Sequence, residues 1–352
     1  MERDIHMTGP LTALRRSTVL PVVVLLAVLG LSGCGGATAA KHTADGKTVL
    51  RYQSSAGSVD VLELASALGD LPDIKLQKVG DVTGGPQMLQ ALVSHQVDIA
   101  SSPFFGATAQ LVATGAPIKA VVSTYGSSGD IYSALVTMAG SPIKTARDLL
   151  GKKVAVNTLG ANSEAILDTW FAKQGLSHDQ IKQITLVALP PLNTEEALRH
   201  NQIDAAVLSV GQLTVAQRRG GIATVFKDTD VVGPYNGGGA VLADEFLNQD
   251  PTAATEVATG IAKAVRYIDD HGRRQVLDVF DKWLRDNGFG DYVEAVDANW
   301  PGNTGVPSPQ AQIRDQDVAL WLNWLGSRGD VDPSKIKPGD VFTNQYNKEA
   351  AG

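Results

Sequence analysis

The chain has 352 residues, of which 43% are hydrophobic and 19% charged, and a formal net charge of −7. This composition excludes a disordered tail, a collagen-like fibre and a disulphide-stapled mini-domain, and the length predicts about two compact domains. Because 30 Lys and Arg stand against 37 Asp and Glu without a basic run, we expect no nucleic-acid partner.

Residues 1–33 predict a signal peptide for export rather than part of the fold. Arg15 and Arg16 supply positive charge, and an apolar stretch at 19–31 follows them. That stretch is shorter than the roughly 20 residues that a membrane-spanning helix needs. It ends in Leu-Ser-Gly directly before Cys34, which resembles the signal of a bacterial lipoprotein, cut before a cysteine that receives lipid.

Cys34 is the only cysteine of the chain, so we expect no internal disulphide and no cysteine-based metal site. Acylation of Cys34 would anchor the exported protein to the outer face of the cytoplasmic membrane, at the cell surface or in the periplasm. Residues 34–46, rich in small and polar side chains, would then be a flexible tether. A small buried thiol is the alternative role for this cysteine.

From Lys47 onward, short β-type runs alternate with helical patterns, which is typical of an α/β protein with parallel strands. After a glycine run at 237–239 and a short strand, the chain is predicted to be helical to its end, with four tryptophans packing between helices. The predicted strands are residues 49–53, 74–79, 97–100, 118–124, 131–138, 153–157, 184–189, 204–209, 222–226 and 240–243.

Two segments of the chain repeat one pattern without a gap. Residues 91–100 and 197–206 share Ala-Leu-x-x-x-Gln-(Val/Ile)-Asp-x-Ala, and in each the end of a predicted helix leads into a predicted buried strand. Two lobes of one design would explain this repeat. Chance similarity between two α/β segments is the alternative.

These features make the chain similar to a known family. Residues 143–156 read Ile-Lys-Thr-Ala-Arg-Asp-Leu-Leu-Gly-Lys-Lys-Val-Ala-Val, and together with 84–100 they resemble the substrate-binding lipoproteins of ABC importers that have the type II periplasmic-binding fold. Within that superfamily the chain resembles the aliphatic-sulphonate, taurine, nitrate and thiamine-precursor group. Residues 94–96, Ser-His-Gln, stand where the family has a glycine turn.

The resemblance implies a two-lobed α/β fold, in which each lobe is a mostly parallel sheet flanked by helices, with a helical C-terminal extension. Its lobes would close about a hinge on a small molecule, which a permease and an ATPase subunit then import. We expect lobe 1 at 47–138 and 237–346, lobe 2 at 139–236 and a tail at 347–352. The expected hinge segments are 132–138 and 235–241, and the expected state is a monomer.

Ligands of open parallel sheets bind beyond the carboxyl ends of the strands. The loops there are rich in small hydroxyl and amide residues, which together with helix N-termini favour an anion. Any one of them could instead cap a helix or form a turn. The candidate ligand-binding residues are Ser54, Ser55, Thr83, Gly84, Ser101, Ser102, Phe104 and Tyr125 in lobe 1, Asn157, Thr158, Asn162, Ser163 and Ser209 in lobe 2, and Tyr235 and Asn236 near the hinge.

These residues predict a small organic anion as ligand, sulphonate-like or carboxylate-like, enclosed by aromatic rings. Because the candidate loops lack Arg and Lys, a fully desolvated multivalent anion is disfavoured. Glu63, Asp81 and Asp130 are candidate partners for a cationic group on the ligand, although exposed carboxylates near strand ends are usually solvated.

An enzyme is not expected. The six histidines are scattered, without an H-x-x-x-H pair, and Gly126-Ser127-Ser128-Gly129 lacks the spacing of a nucleophile elbow. We therefore expect no catalytic residue, no metal and no cofactor. The alternative to transport is a membrane-tethered sensor or scaffold on the same fold, which would act through a protein partner.

Overall fold

The computed structural model describes residues 42–55 and 57–351. The predicted signal peptide, the predicted lipid-attachment residue Cys34 and most of the predicted tether lie outside the described residues. In the part of the chain that is described, no helix combines the length and the apolar character needed to cross a membrane. Within the same part, no group of three or more His, Cys, Asp or Glu side chains could hold a metal ion.

Strands and helices alternate through most of the described chain, as the sequence predicts. The strands are β1 (Thr48–Ser54), β2 (Ile74–Asp81), β3 (Ile99–Ala100), β4 (Ile118–Ser127), β5 (Ala134–Met138), β6 (Lys153–Val156), β7 (Thr185–Ala188), β8 (Ala205–Leu208), β9 (Ile222–Lys227) and β10 (Tyr235–Ala243). The helices are α1 (Val61–Ala67), α2 (Gly85–Val93), α3 (Phe105–Ala113), α4 (Asn162–Lys173), α5 (His178–Ile181), α6 (Pro191–Arg199), α7 (Val210–Arg219), α8 (Asp228–Val232), α9 (Asp244–Gln249), α10 (Pro251–Asp270), α11 (Arg273–Asp286), α12 (Val293–Asn299), α13 (Asp315–Arg328) and α14 (Pro338–Val341).

The strands form two lobes with matching order. In the second lobe they run β7-β6-β8-β5-β9, with β6 parallel to β7 and β8. In the first lobe β1 pairs with β2 in parallel, and β10 lies between β3 and β4, antiparallel to both. The two groups of the first lobe meet where the backbone N–H of Asp98 donates to the carbonyl oxygen of Arg51 at 2.9 Å. The predicted two-lobed α/β fold is therefore confirmed.

One predicted boundary differs from the structure. The predicted lobe 1 includes residues 131–138, but strand β5 pairs with β8 and β9 in the second sheet. Residues 235–241 likewise belong to β10 of the first sheet. The chain therefore crosses between lobes at 128–133 and 228–234, and the predicted hinge segments 132–138 and 235–241 are mostly strand.

The repeated sequence pattern corresponds to a repeated backbone conformation. Helices α2 and α6 are both followed by a residue other than glycine at positive φ, His95 at 58° and Asn201 at 55°. Few non-glycine residues adopt this left-handed conformation. His95 thus forms the turn for which the family uses glycine, and each turn leads into a buried strand of its own lobe.

Helix α13 of the C-terminal extension contacts both lobes. Helix α13 packs its fully buried Trp321 against Phe104 of the first lobe, with ring centroids 4.8 Å apart. At its end, Arg328 Nη1 lies 2.6 Å from Glu164 and 2.8 Å from Asp168, both on α4 of the second lobe. This extension therefore connects the lobes on one side of the cleft.

Candidate ligand-binding site

A cavity of about 350 Å³ lies between the two lobes. Loops that follow strands in both lobes line it, and residues of the segment 299–304, which starts at the last residue of α12, line another part of its wall. The volume is in the range of small-molecule sites in proteins. Because both lobes contribute to one cavity, a ligand bound there would contact both at once.

Ten of the fifteen predicted residues line this cavity. Most of them carry a hydroxyl or amide group, as the sequence suggested, and the others are Gly84, which brings backbone, and Phe104, which brings an aromatic ring. The ten are Ser55, Thr83, Gly84, Ser102, Phe104, Tyr125, Asn157, Asn162, Ser163 and Ser209.

Ser54 and Ser101 do not line the cavity, because neighbouring side chains in extended backbone face opposite ways. The Ser54 hydroxyl donates to Glu63 Oε1 at 3.0 Å, and the Ser101 hydroxyl donates to Asp60 Oδ2 at 2.8 Å. Their neighbours Ser55 and Ser102 are the residues that line it. One serine of each predicted pair therefore lines the cavity and the other does not.

Thr158 and Asn236 also lie outside the cavity lining. Thr158 instead meets the first lobe at the edge of the cleft, where a β-carbon on Gly84 would lie 2.7 Å from its Cγ2 atom. Asn236 is fully buried and its Nδ2 donates to Asp317 at 2.7 Å, which fixes β10 to α13. These two residues have structural contacts in place of the predicted ligand contact.

The three acidic residues predicted as partners for a cationic group do not line the cavity either. Glu63 is buried and accepts the Tyr52 hydroxyl at 2.7 Å, while Asp81 pairs with Lys78 at 2.8 Å. Asp130 is exposed. They lie elsewhere because a position near a strand end does not fix the direction of a side chain.

Asp60, which is not among the predicted site residues, is the charged side chain that lines the cavity among the described residues. It precedes α1, and its Oδ1 accepts the backbone N–H groups of Leu62 at 2.9 Å and Glu63 at 3.3 Å. Burial raises the pKa of Asp60, and hydrogen bonds from Ser101 and these N–H groups oppose the rise. Asp60 could have been predicted from the sequence, because the loop after β1 continues past Ser54 and Ser55 to this aspartate.

Three of the long helices begin at the cavity without a side-chain cap. The N-cap residues Gly84 of α2, Ala161 of α4 and Ser209 of α7 all line it, and none accepts a capping hydrogen bond through its side chain. The first N–H groups of a helix lack intrahelical partners and favour negative charge. In addition, Thr124 lines the cavity with a buried hydroxyl oxygen that has no hydrogen-bond partner. The wall can therefore donate hydrogen bonds to an oxyanion.

Tyr235 does not line the cavity but holds Asn162, which does. Its hydroxyl lies 2.8 Å from Asn162 Nδ2 and 3.1 Å from the buried Asp228 Oδ2. Burial, and then the charge of Asp228, raise the pKa of Tyr235 well above its usual value. The tyrosine thus stays protonated behind the wall and is not itself part of the lining.

The chain matches a family model described as NMT1/THI5 like over residues 73–274. No curated protein matches the chain. Its fold is similar to that of the ligand-binding component of an ABC-type import system from Staphylococcus aureus, solved with zinc bound, at 15% identity and a TM-score of 0.65. That match covers 86% of this chain and 98% of the other.

Two further solved structures illustrate the range of proteins with this fold. The periplasmic aliphatic sulphonate binding protein SsuA from Escherichia coli is 21% identical, with a TM-score of 0.59 over 83% of this chain and 91% of the other. A mutant of DSZB, in complex with biphenyl-2-sulfinic acid, is 15% identical, with a TM-score of 0.55 over 85% and 96%. At such identities the likeness establishes the fold, and the function has to be argued from the site.

Proposed function

The chain belongs to the NMT1/THI5-like family, and from this membership and its inter-lobe cavity we propose that it is the solute-binding component of an ABC import system. The observation that carries the proposal is that both lobes line one cavity of about 350 Å³. A ligand that touches both lobes binds the closed form better than the open form and so shifts the protein toward closure. The membrane permease would recognise that closed form.

The ligand that the wall fits is a small organic anion, sulphonate-like or carboxylate-like. Three uncapped helix N-termini and the unpaired Thr124 hydroxyl offer hydrogen-bond donors, and the ring of Tyr125 offers apolar surface. No Lys, Arg or His of the described chain lines the cavity. One delocalised negative charge on an organic body suits such a wall better than a multivalent ion.

The protein would work at a membrane surface. The predicted signal at 1–33 would direct export, and lipid on Cys34 would hold the folded part near its permease through the tether. We propose that one chain suffices for capture, because the cavity is built from two lobes of the same chain. The ligand would be released unchanged.

The first experiment is a thermal-shift screen of the purified chain with sulphonates, carboxylates, nitrate and pyrimidines. A rise in melting temperature with at least one organic anion is expected, since a ligand of the native state stabilises it by mass action. Small-angle scattering should then show a more compact molecule with that compound bound. Silence across the whole panel would favour a sensor or scaffold that acts through a protein partner.

Two controls complete the test. The bound compound is recovered after incubation and compared with the starting material by NMR, and any conversion would contradict a pure binding role. A Cys34→Ser variant is expressed in a bacterium and fractionated. We expect it to leave the membrane fraction while keeping its ligand-induced thermal shift, and full retention at the membrane would rule out the lipid anchor.

A further inference from the structure

The wall of the cavity contains a buried oxygen that lacks a hydrogen-bond donor. Asn162 lines the cavity, and its Oδ1 atom is buried without a partner. Its other amide atom, Nδ2, donates to the Tyr235 hydroxyl at 2.8 Å. The side chain therefore has one amide atom satisfied by the protein, while its oxygen lacks a donor at the wall of the cavity.

The orientation of this amide is fixed by what lies behind it. The oxygens of Asp228 accept from the Ser127 hydroxyl at 2.6 Å, the Ser133 N–H at 3.0 Å and the Thr229 N–H at 2.7 Å, and the Tyr235 hydroxyl lies 3.1 Å away. A carboxylate only accepts, so Tyr235 donates to it and offers a lone pair to Asn162. A flipped Asn162 would set its oxygen against that lone pair. The unflipped amide therefore leaves Oδ1 as the atom without a partner.

The first lobe contributes a second acceptor. Asp60 Oδ2 accepts one hydrogen bond, from Ser101 at 2.8 Å, and the residue lines the cavity. An anion that carries only acceptors would leave the Asn162 oxygen unpaired and would add a second negative charge near Asp60. Buried unpaired polar groups and unpaired like charges both disfavour binding. The cavity wall therefore offers two kinds of group: helix N-termini, which donate hydrogen bonds, and the oxygens of Asn162 and Asp60, which accept them.

We propose that the ligand is an anion that also carries an N–H or O–H donor, and that Asn162 Oδ1 receives this donor in an orientation set by Tyr235 and Asp228. Asp60 would favour a protonated amine over a hydroxyl as that donor. This inference rests on the proposed function and narrows its ligand class. Tyr235 is then a positioning residue, which determines specificity without touching the ligand.

The test uses matched compounds that differ only in the donor. Ethanesulphonate, 2-hydroxyethanesulphonate and 2-aminoethanesulphonate form one series, and propanoate, 3-hydroxypropanoate and 3-aminopropanoate form the other. Affinities are measured by titration calorimetry on the full chain in detergent. We expect the amino compound to bind about tenfold tighter than the unsubstituted one, because a site built for a donor rejects the analogue that lacks it.

Two variants assign the effect to the proposed residues. Tyr235→Phe keeps the ring but releases the Asn162 amide, so the preference for donor-bearing compounds should fall to about threefold or less. Asn162→Ala removes the acceptor and should have the same effect, so the conclusion does not depend on one variant folding. Tyr267→Phe on α10, at a residue whose ring stacks on His271 and that does not line the cavity, is the control and should leave the preference intact.

The possible results separate this inference from the proposed function. Equal affinity for compounds with and without the donor overturns the inference and leaves an anion receptor in place. A preference that persists in both Tyr235→Phe and Asn162→Ala overturns the role of Asn162. Absence of binding by any compound in either series, and in the wider screen, overturns the proposed function and this inference with it.

Discussion

The carboxylates of Asp98 and Asp204 make the same contact in the two lobes. Asp98 Oδ2 accepts the backbone N–H of Arg51 at 2.8 Å, and Asp204 Oδ2 accepts that of Lys153 at 2.9 Å. Arg51 lies in β1, and Lys153 begins β6. Each aspartate thus joins the turn after a helix to a neighbouring strand, and the repeated Gln-(Val/Ile)-Asp pattern of the sequence records this shared architecture.

The two aspartates differ in their other contacts, and this difference predicts different losses of stability when each is replaced. Asp98 also takes two hydrogen bonds from the Arg51 guanidinium, at 2.6 and 3.0 Å, in a largely buried position. Asp204 has only a Lys152 ammonium at 3.5 Å in a more exposed place. Asp98→Ala should lower the free energy of unfolding by about 2 kcal/mol and Asp204→Ala by about 1 kcal/mol. Urea unfolding measures both, and equal losses would contradict the reasoning.

The course of the fold was predictable because hydrophobic periodicity and turn residues are local signals. The strand order was accessible only through the family resemblance, since pairing depends on residues far apart in sequence. Strand β5 shows the limit. It follows β4 after a few residues, yet it pairs with β8 and β9 of the other lobe. Nothing within 131–138 itself distinguishes these two partners.

The candidate site was predictable to the level of loops and not of side chains. Ser55 and Ser102 line the cavity while Ser54 and Ser101 face away, because the facing of each residue depends on strand register. The contribution of residues 299–304 could not be anticipated, since this irregular segment reaches the cavity from the far end of the chain.

A pH-dependent stability follows from Glu63. Burial, and then the neighbouring Asp60, raise its pKa to about 7 from an ordinary value of 4.5, against opposing hydrogen bonds from Tyr52 and Ser54. The folded protein therefore holds a proton that the unfolded chain has lost between these two pH values. The contribution of Glu63 to the free energy of unfolding therefore falls as the pH rises from 4.5 to about 7, and it does not recover at higher pH.

The Glu63→Gln variant removes the titration while its amide oxygen still accepts the Tyr52 hydroxyl. Relative to the variant, the wild-type protein should lose on the order of 2 kcal/mol between about pH 4.5 and 7. Chemical denaturation at several pH values measures the difference. The exposed Glu294→Gln serves as control, and a parallel pH profile for wild type and Glu63→Gln would refute the prediction.

The contacts of Arg328 predict how much the link between the C-terminal extension and lobe 2 contributes to stability. Its guanidinium pairs with Glu164 and Asp168, and the Trp324 indole N–H also donates to Asp168 at 3.1 Å. Arg328→Met keeps the apolar stem but leaves two carboxylates facing each other without a counter-charge. We expect a loss of about 2 kcal/mol in stability and a larger radius of gyration of the ligand-free protein.

The matched control for Arg328 is Lys282→Met, which breaks an exposed pair with Asp286 on α11 and should cost less than about 0.5 kcal/mol. Adding Glu164→Gln and Asp168→Asn to Arg328→Met should restore part of the stability, because the repulsion is then removed. If the triple variant is no more stable than Arg328→Met, the loss comes from packing rather than from unpaired charge.

Gly84 tests whether the lobes must meet for the ligand to be held. Its backbone is extended, with φ of −178°, so alanine is conformationally acceptable there. Its added β-carbon, however, would lie 2.7 Å from Thr158 Cγ2 of the other lobe. Gly84→Ala should therefore hinder closure and weaken ligand binding about tenfold, which corresponds to about 1.4 kcal/mol, with little change in the stability of the ligand-free protein.

The second change identifies the clash as the cause. Thr158→Ser removes the Cγ2 atom that the new methyl group would meet, so the double variant should recover most of the affinity lost in Gly84→Ala. Gly339→Ala, where a β-carbon would meet nothing within 4 Å, should bind as the wild type does. If Gly84→Ala binds normally, or if Thr158→Ser gives no recovery, then contact between the lobes at this edge of the cleft is not needed for capture.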